Sequence, residues 1–374
     1  MVESNTSISI SKVKNMSRQT KNKIAVALVC DERLATQAGA VAFKINSDWN
    51  FDVHIFVETN STDIKHFYRV EREGITYHIN RLLNDFRDIL PKMDKYPIAV
   101  WGRIFLPEVL SDYARILYVD VDILPGPKPI DLDKIDLPYG IGMVSNYWTR
   151  YNERIGHRRT IEHMSQLGLK AEDYFNSGVI LMDPSKISAD EVGDGLARFV
   201  SDFGDKIKSP DQDFLAFHYK GKITQLSVNL NFIQPLMGFG LEGGAVPCIR
   251  HYVMQPKFYE TLHNFGENPI IRSAQTEFLD LLNKAQLPVE LLTPRHKPKF
   301  SRSIKNVLRS VTANTLLGAP RRRKEYRKWE HIRSIMLDLL LGDEAHCADE
   351  LPFTLAIKEP QVYWTGTGFV CMRQ

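Results

Sequence analysis

The amino-acid sequence predicts an α/β fold in which a single mixed, mostly parallel sheet is flanked by helices. Two observations favour this class. Short apolar runs typical of buried strands recur along the first 290 residues, and stretches with helical spacing of their apolar residues separate them. Strands that alternate with helices in this way form sheets that are covered on both faces. Such sheets bind ligands beyond the carboxyl ends of their strands.

The predicted elements follow one another along the chain. A polar arm, residues 1–20, precedes the continuous apolar run KIAVALVC at residues 23–30. A helical stretch connects this strand to DVHIFVE at residues 52–58, so the domain opens with a β-α-β unit. Further along, YPIAVWGRIFLPEVL predicts a helix, and RILYVD, GIGMVS and YFNSGVILMD predict strands.

Composition excludes several classes of protein. With 374 residues and 43% hydrophobic content, the chain is globular, neither disordered nor fibrous. Its four cysteines are scattered, without the spacing of a zinc site or a disulfide framework, which favours a reducing compartment. No apolar stretch has the length of a signal peptide or of a membrane span. We therefore expect a cytoplasmic protein. The alternative is a protein attached peripherally to the cytoplasmic face of the membrane.

Charge separates the C-terminal region from the rest. Besides the arm, we expect an α/β domain at residues 21–290 and a basic helical region at residues 291–374. Between Arg295 and Arg333, thirteen Lys and Arg stand against two Glu. Basic helices with aromatic residues suit the anionic surface of a membrane, here through residues 295–335. The alternative of equal weight is a helix packed on the α/β domain; nucleic acid is not expected, because no binding module is present.

Two aspartates end the predicted strand RILYVDVDILPG at residues 115–126. In an extended strand, the side chains of Asp120 and Asp122 project to one face, where two like charges repel unless a cation lies between them. Oxygen ligands favour Mg²⁺ or Mn²⁺, and such ions keep coordination positions for water and phosphate. The alternative is that Asp122 only caps the turn before Pro125.

Two classes of enzyme place two such aspartates after an apolar strand. In phosphatases of the haloacid dehalogenase type, the first aspartate is the nucleophile, and an acidic GDxxxD loop follows later in the chain. The only similar segment, VGDGLARF at residues 192–199, lacks the second aspartate and begins a helix. In glycosyltransferases that use nucleotide sugars, the aspartates hold a metal that bridges the diphosphate of the donor.

The sequence resembles glycosyltransferase family 8 from Lys23 to Tyr259. Five blocks occur in the order of the family: the strand that ends at Asp31; WGRIFLPEVL with ILYVDVDIL; YFNSGVILMD; DQDFLAFHYKGKITQLSVNLNF; and IRHYVMQPKF. The resemblance implies a fold of the GT-A type, a Rossmann-like mixed sheet. It also implies a nucleotide sugar, a UDP-sugar in our interpretation, as donor substrate.

The resemblance assigns a role to each candidate site residue. It implies a metal site formed by Asp120, Asp122 and His251, with Mn²⁺ or Mg²⁺ as cofactor. The residues implied to bind the nucleotide sugar are Asp31, Arg103, Asp120, Val121, Asn146 and Lys257. The residues implied to act at the reacting sugar are Asn176, Asp211 and Gln212.

Ordinary structural roles are the alternatives for some of these residues. Asp31 could cap a helix, Arg103 could lie on the surface, and His251 could be a core histidine. For Asn176, in an otherwise apolar strand, substrate contact is favoured because a buried amide needs hydrogen-bond partners. Asn146 stands where the family often has an acidic residue, so the preference for the donor sugar could be shifted.

The resemblance further implies a reaction that retains the anomeric configuration. A covalent intermediate would need a carboxylate beside the sugar, yet the residue implied to lie nearest is Gln212. We therefore favour substitution on one face, in which the leaving phosphate assists deprotonation of the acceptor hydroxyl. The expected acceptor is a lipopolysaccharide, a capsule or a similar glycan or glycolipid. A non-catalytic relative that only binds nucleotide sugars is the remaining alternative.

Overall fold

A seven-stranded mixed sheet forms the centre of the protein in the computed structural model. Its strands are β1 (Ile24–Cys30), β2 (Asp52–Val57), β3 (Ile75–Ile79), β4 (Arg115–Val119), β6 (Ile141–Ser145), β7 (Phe175–Met182) and β8 (Thr224–Gln225). They lie in the order β3-β2-β1-β4-β7-β6-β8. β7 runs antiparallel to β4 and β6, and the other neighbours pair in parallel. The predicted mixed sheet is thereby confirmed.

The structure describes residues 24–59, 67–83, 86–91, 93, 95–129, 131–241, 247–261, 268–290, 292, 319–344, 362–364 and 369–371. The α-helices in these ranges are α1 (Ala35–Trp49), α2 (Leu106–Val109), α3 (Tyr147–Arg154), α4 (Arg158–Gln166), α5 (Ala189–Phe203), α6 (Pro210–His218), α7 (Gln234–Gly238), α8 (Pro269–Lys284) and α9 (Ala319–Glu344). Among them, none combines the length and apolarity needed to cross a membrane.

Apolar side chains on both faces of the sheet explain why it is central. Along β1, Val26 and Leu28 face the layer that contains α1 and α8, whereas Ala25 and Ala27 face the layer that contains α5 and α6. Alternating side chains of a strand point to opposite faces, and here both faces are covered, so the strand is apolar throughout. The segment predicted as a helix before β4 is a 3-10 helix, Ile98–Phe105, that continues into α2.

A second, three-stranded sheet lies beyond the end of β4. It consists of β5 (Ile123–Pro125), β9 (Phe232–Ile233) and β10 (Ile249–His251), in the order β5-β10-β9. β10 runs antiparallel to β5, with His251 opposite Ile123. This pairing brings a segment late in the sequence beside the turn that carries the two aspartates.

The C-terminal region packs on the α/β domain where the structure describes it. In α9, Ile332, Met336 and Leu340 are buried in the same core cluster as α1 and α8. Two short antiparallel strands, β11 (Val362–Trp364) and β12 (Phe369–Cys371), follow. Residues 293–318 of the predicted basic helical region lie outside the described residues, and the proposed domain boundary at residue 290 stays a prediction.

Candidate active site

The two aspartates lie where β4 leaves the main sheet. The backbone N–H of Asp120 still donates a hydrogen bond to the carbonyl of Gly178 in β7, at 2.8 Å. The chain then turns and enters β5, which belongs to the smaller sheet. Asp122 lies in this turn, and its carbonyl accepts a hydrogen bond from the N–H of Tyr252 at 2.9 Å. Backbone pairing on both sides therefore fixes the two carboxylates.

His251 completes a cluster with these carboxylates. Its Nε2 lies 3.1 Å from Oδ1 of Asp122 and 3.6 Å from Oδ2 of Asp120. One ligand atom from each of the three residues lies within 4.8 Å of the others. His251 is 2% exposed, so neighbouring residues surround its imidazole.

Asn231 decides which nitrogen of His251 faces the carboxylates. Oδ1 of Asn231 lies 2.9 Å from Nδ1 of His251, and Nδ2 of Asn231 donates to Oδ1 of Asn176 at 2.8 Å. Since Oδ1 of Asn231 can only accept, Nδ1 of His251 donates, and the lone pair of Nε2 is directed at the two carboxylates. Three electron-rich atoms converge in this way, which fits a divalent cation bound by mixed oxygen and nitrogen ligands.

Gly178 leaves the space that His251 occupies. A Cβ atom built on Gly178 would lie 2.1 Å from Cε1 of His251 and 2.9 Å from Oδ2 of Asp120. No side chain fits at that distance. The glycine of the FNSG segment is therefore required by the position of His251.

Lys257 lies beside the cluster and is largely buried. Its Nζ contacts Oδ2 of Asp122 at 2.5 Å and the carbonyl of Tyr252 at 2.7 Å. Burial alone would raise the pKa of Asp122, but the charge and the hydrogen bond of Lys257 outweigh it and hold that pKa well below its usual range. Asp122 is therefore an anion, ready to bind a cation.

Arg103 is a buried residue and not a surface arginine. Its guanidinium lies 3.0 Å from Oδ1 of Asp120 and 2.9 Å from Oδ2 of Asp211, and it donates to the carbonyl of Ser177 at 2.8 Å. The ring of Tyr118 lies beneath it, 4.5 Å from the centroid. Burial disfavours the charge, but Asp120 and Asp211 raise the pKa of Arg103 above its usual value. Burial raises the pKa of Asp211, and Arg103 opposes that shift.

Three predicted sugar-binding residues line one cavity of about 800 Å³. They are Asn146, Asn176 and Gln212. Asn146 also caps α3, because its Oδ1 accepts from the N–H of Thr149 at 3.1 Å. Oε1 of Gln212 lies 3.4 Å from the N–H of Ser177. The cavity adjoins the cluster, since Asn176 bonds to Asn231, which in turn holds His251.

Asp31 and Val121 do not line this cavity. Asp31 lines a second cavity of about 670 Å³. Its Oδ1 also accepts a hydrogen bond from the N–H of Leu34 at 3.2 Å and so caps the following 3-10 helix. The capping role that the sequence left open is therefore observed, and Asp31 faces a cavity as well. Trp101 lies on the wall of the same cavity. The side chain of Val121 is buried in the core, which leaves only its backbone for contact with a ligand.

Two residues that orient the site were not assigned roles from the sequence. Asn231 is fully buried and holds His251, and Tyr118 lies against Arg103 and hydrogen-bonds to Asp120. A signal exists for Asn231, a polar residue between Leu230 and Phe232. Tyr118 gives none, because an aromatic residue is common in any buried strand.

Comparison with known proteins gives a family and a fold. The model of glycosyl transferase family 8 matches residues 25–258, more than half of the chain. A Haemophilus influenzae protein named as a glycosyltransferase by assignment only is 23% identical over 150 residues, which are 40% of this chain and 43% of that protein. An uncharacterised mimivirus protein, R707 of Acanthamoeba polyphaga mimivirus, is 22% identical over 178 residues, 46% of this chain and 58% of that protein. The chain spans about half the length of these curated relatives.

Solved structures share the architecture. The galactosyltransferase LgtC, crystallised with donor and acceptor sugar analogs, superposes with a TM-score of 0.55 at 17% identity, covering 75% of this chain and 99% of LgtC. A variant of LgtC superposes with a TM-score of 0.56 at the same identity and coverage. At this identity the likeness shows the fold, and the family match shows the kind of enzyme. The chain belongs to glycosyltransferase family 8.

Proposed function

We propose that the protein is a metal-dependent, retaining glycosyltransferase that moves a hexose from a UDP-sugar to a glycan acceptor. The observation that carries this proposal is the cluster of Asp120, Asp122 and His251, whose ligand atoms lie within 4.8 Å of one another. The cluster lies beyond the carboxyl end of β4, where sheets of this kind bind nucleotides.

The cations around the cluster suit a diphosphate. Lys257 contacts Asp122, and Arg103 contacts Asp120. Mn²⁺ or Mg²⁺ held by the cluster would stabilise the negative charge that grows on the departing UDP. Lys257 is placed to share that charge, since its ammonium can turn from Asp122 to a phosphate oxygen. Arg103, which is buried, contacts the carboxylates of Asp120 and Asp211 and holds them in place.

Substitution on one face of the sugar remains our interpretation of the reaction. A covalent intermediate would need a carboxylate at the sugar. Among the described residues, no Asp or Glu lines the cavity that contains Asn176 and Gln212, and Asp211 is buried in its ion pair with Arg103. The arrangement supports a reaction in which the leaving phosphate takes the proton of the acceptor hydroxyl. A glycosyl adduct trapped on any carboxylate would contradict it.

The known structures support the same assignment by analogy. LgtC binds donor and acceptor sugar analogs, and its second structure carries a glutamine-to-glutamate change described as an active-site mutation. In the present chain, Gln212 lines the cavity next to the cluster.

Replacement of Asp122 by alanine tests the proposal. The change removes the anion that Lys257 and His251 surround, and we expect release of UDP from UDP-glucose or UDP-galactose with Mn²⁺ to fall at least about 100-fold. Asp133→Ala, at an exposed carboxylate outside the site, is the matched control and should stay within about twofold of the wild type. UDP release by Asp122→Ala without metal would contradict the assignment. Binding of UDP-sugars by the wild type without turnover would instead favour a non-catalytic relative.

We further propose that the basic face of α9 contacts an anionic membrane surface, where a lipopolysaccharide or capsule precursor would serve as acceptor. Arg323, Lys324, Arg327 and Lys328 are exposed, whereas Trp329 is 6% exposed and packs on the domain. The contact would therefore be electrostatic, without insertion of the tryptophan. Replacing the four basic residues by glutamine should lower co-flotation with vesicles containing phosphatidylglycerol at least about tenfold. Equal co-flotation of both proteins would exclude this contact.

A further inference from the structure

The cavity that contains Gln212 extends well beyond the predicted sugar-binding residues. Helix α4 contributes Arg159, Thr160 and His163 to its wall, and the segment before α6 contributes Lys208. The volume of about 800 Å³ leaves space for a group larger than one donor sugar. The glycan acceptor must reach the donor sugar from this side if the proposed function holds.

The charge of this wall is one-sided. Arg159 and Lys208 are the two permanently charged side chains among its described residues, and no carboxylate lines it. In the described part of the chain, neither cation forms an ion pair with an Asp or Glu. Two uncompensated cations in a concave wall produce a positive potential that attracts anions.

Buried contacts hold this part of the wall in place. Asp213 is fully buried, and its Oδ2 accepts from the N–H of Lys208 at 2.8 Å and from the N–H of Ser209 at 3.1 Å. Oδ1 of Asp213 lies 3.0 Å from Nε2 of His163. The Nδ1 of His163 is buried and has no hydrogen-bond partner among the described residues.

The phosphates of the donor do not account for these two cations. Lys257, Arg103 and the metal cluster surround the place proposed for the diphosphate, and none of their residues lines this cavity. Arg159 and Lys208 are exposed and therefore available to bind a second anionic group.

We propose that the glycan acceptor carries a phosphate or carboxylate group that is bound by Arg159 and Lys208. This inference rests on the proposed glycosyl transfer and names the chemical class of its acceptor. An arginine can bind either group through two hydrogen bonds, and a lysine adds a point charge. Neutral acceptors lack this contact and bind more weakly.

Transfer assays with matched acceptors test the inference. Methyl hexosides, their 6-phosphates and the corresponding methyl hexuronides serve as three arms, with Mn²⁺ and the UDP-sugar that the enzyme hydrolyses. We expect a KM at least about tenfold lower for one or both charged arms, the size of a charge-assisted hydrogen bond. The phosphate and hexuronide arms distinguish the two kinds of anion.

Variants assign the preference to the two cations. Arg159→Gln and Lys208→Gln should each raise the KM of the charged acceptor about tenfold and reduce its advantage over the neutral one. Arg158→Gln and Lys206→Gln are matched controls, because these neighbours are exposed outside the cavity, and Arg158 pairs with Glu162. The controls should leave both KM values within about twofold.

The outcomes separate this inference from the proposed function. Equal KM values for charged and neutral acceptors, or the same rise for both in the variants, would overturn the inference while metal-dependent release of UDP upholds the function. A rise in the KM of the UDP-sugar in Arg159→Gln would also overturn it, because the cation would then bind the donor. Absence of UDP release by the wild type would instead overturn the proposed function.

Discussion

Gly178 and His251 occupy neighbouring space at the centre of the site. The absence of a side chain at Gly178 lets the imidazole lie against β7, with its Nε2 directed at Asp120 and Asp122. The position of His251, a candidate metal ligand, therefore depends on a residue that has no side chain.

Gly178→Ala should displace the imidazole, because the new Cβ would lie 2.1 Å from Cε1 of His251. We expect the affinity for Mn²⁺ to fall about tenfold or more, measured by isothermal titration calorimetry of the purified protein. Gly342→Ala is the control, since no heavy atom lies within 4 Å of its Cβ, and it should bind Mn²⁺ like the wild type. Unchanged Mn²⁺ binding by Gly178→Ala would show that His251 is not needed as a ligand.

At the scale of elements, the pairing of β5 with β10 assembles the cluster. β5 directly follows the two aspartates, and β10 ends at His251, so one antiparallel register sets the distance between them. The 3-10 helix at Ile98–Phe105 supplies Arg103 from the opposite side. Helical spacing in the sequence predicted a helix there, but not the tighter 3-10 form.

Two histidines on the paired strands β2 and β3, His54 and His78, form a partly buried contact with each other that makes the free energy of unfolding depend on pH. His54 lies 3.0 Å from His78 and 2.9 Å from the hydroxyl of Tyr113. Burial, and then the charge of His78, lower the pKa of His54 from 6.5 to about 4. Between these values the unfolded chain binds a proton that the folded protein does not, so the stabilisation is present above pH 6.5 and is lost as the pH falls towards 4.

Urea denaturation at pH 5 and at pH 7 measures this effect. We expect the wild type to unfold at a lower urea concentration at pH 5, and His54→Phe to show a smaller difference between the two conditions. His157→Gln, at an exposed histidine, is the control and should keep the difference of the wild type. An equal difference in His54→Phe and in the wild type would exclude His54 as its source.

At the scale of the whole molecule, α9 joins the C-terminal region to the wall of the large cavity. Nε1 of Trp329 donates to the carbonyl of Gly238 at 3.1 Å, and Nε of Arg333 donates to the carbonyl of Phe239 at 3.0 Å. Both Gly238 and Phe239 line the cavity. The C-terminal helix therefore supports the surface on which we expect the acceptor to bind.

Trp329→Leu should affect both stability and acceptor binding. It removes the bond to Gly238 and much of a buried ring, which should lower the free energy of unfolding by about 2 kcal/mol or more. In transfer assays we expect the KM of the acceptor to rise more than the KM of the UDP-sugar. Leu341→Ala, at a side chain that is 49% exposed on the same helix, is the control with a small effect expected. Equal rises in both KM values would contradict a role of α9 in shaping the acceptor wall.

The sequence by itself determined the α/β class, the strands on which the site is built and the pair of carboxylates, Asp120 and Asp122, that belongs to the candidate metal site. These features are local, because apolar runs and the two-residue period of a strand depend only on neighbours in the chain. It also placed His251 among the candidate ligands, although only through its resemblance to a family.

The tertiary structure decided which distant residues meet. His251 lies 129 residues from Asp122, and Asn231, Gly178 and Tyr118 act through contacts across strands that no local pattern specifies. It also decided which surface covers the apolar face of α9, in a region whose sequence suited a membrane and a protein core equally. The hydrophobic effect is non-directional, so an apolar helix face specifies burial but not the surface that buries it.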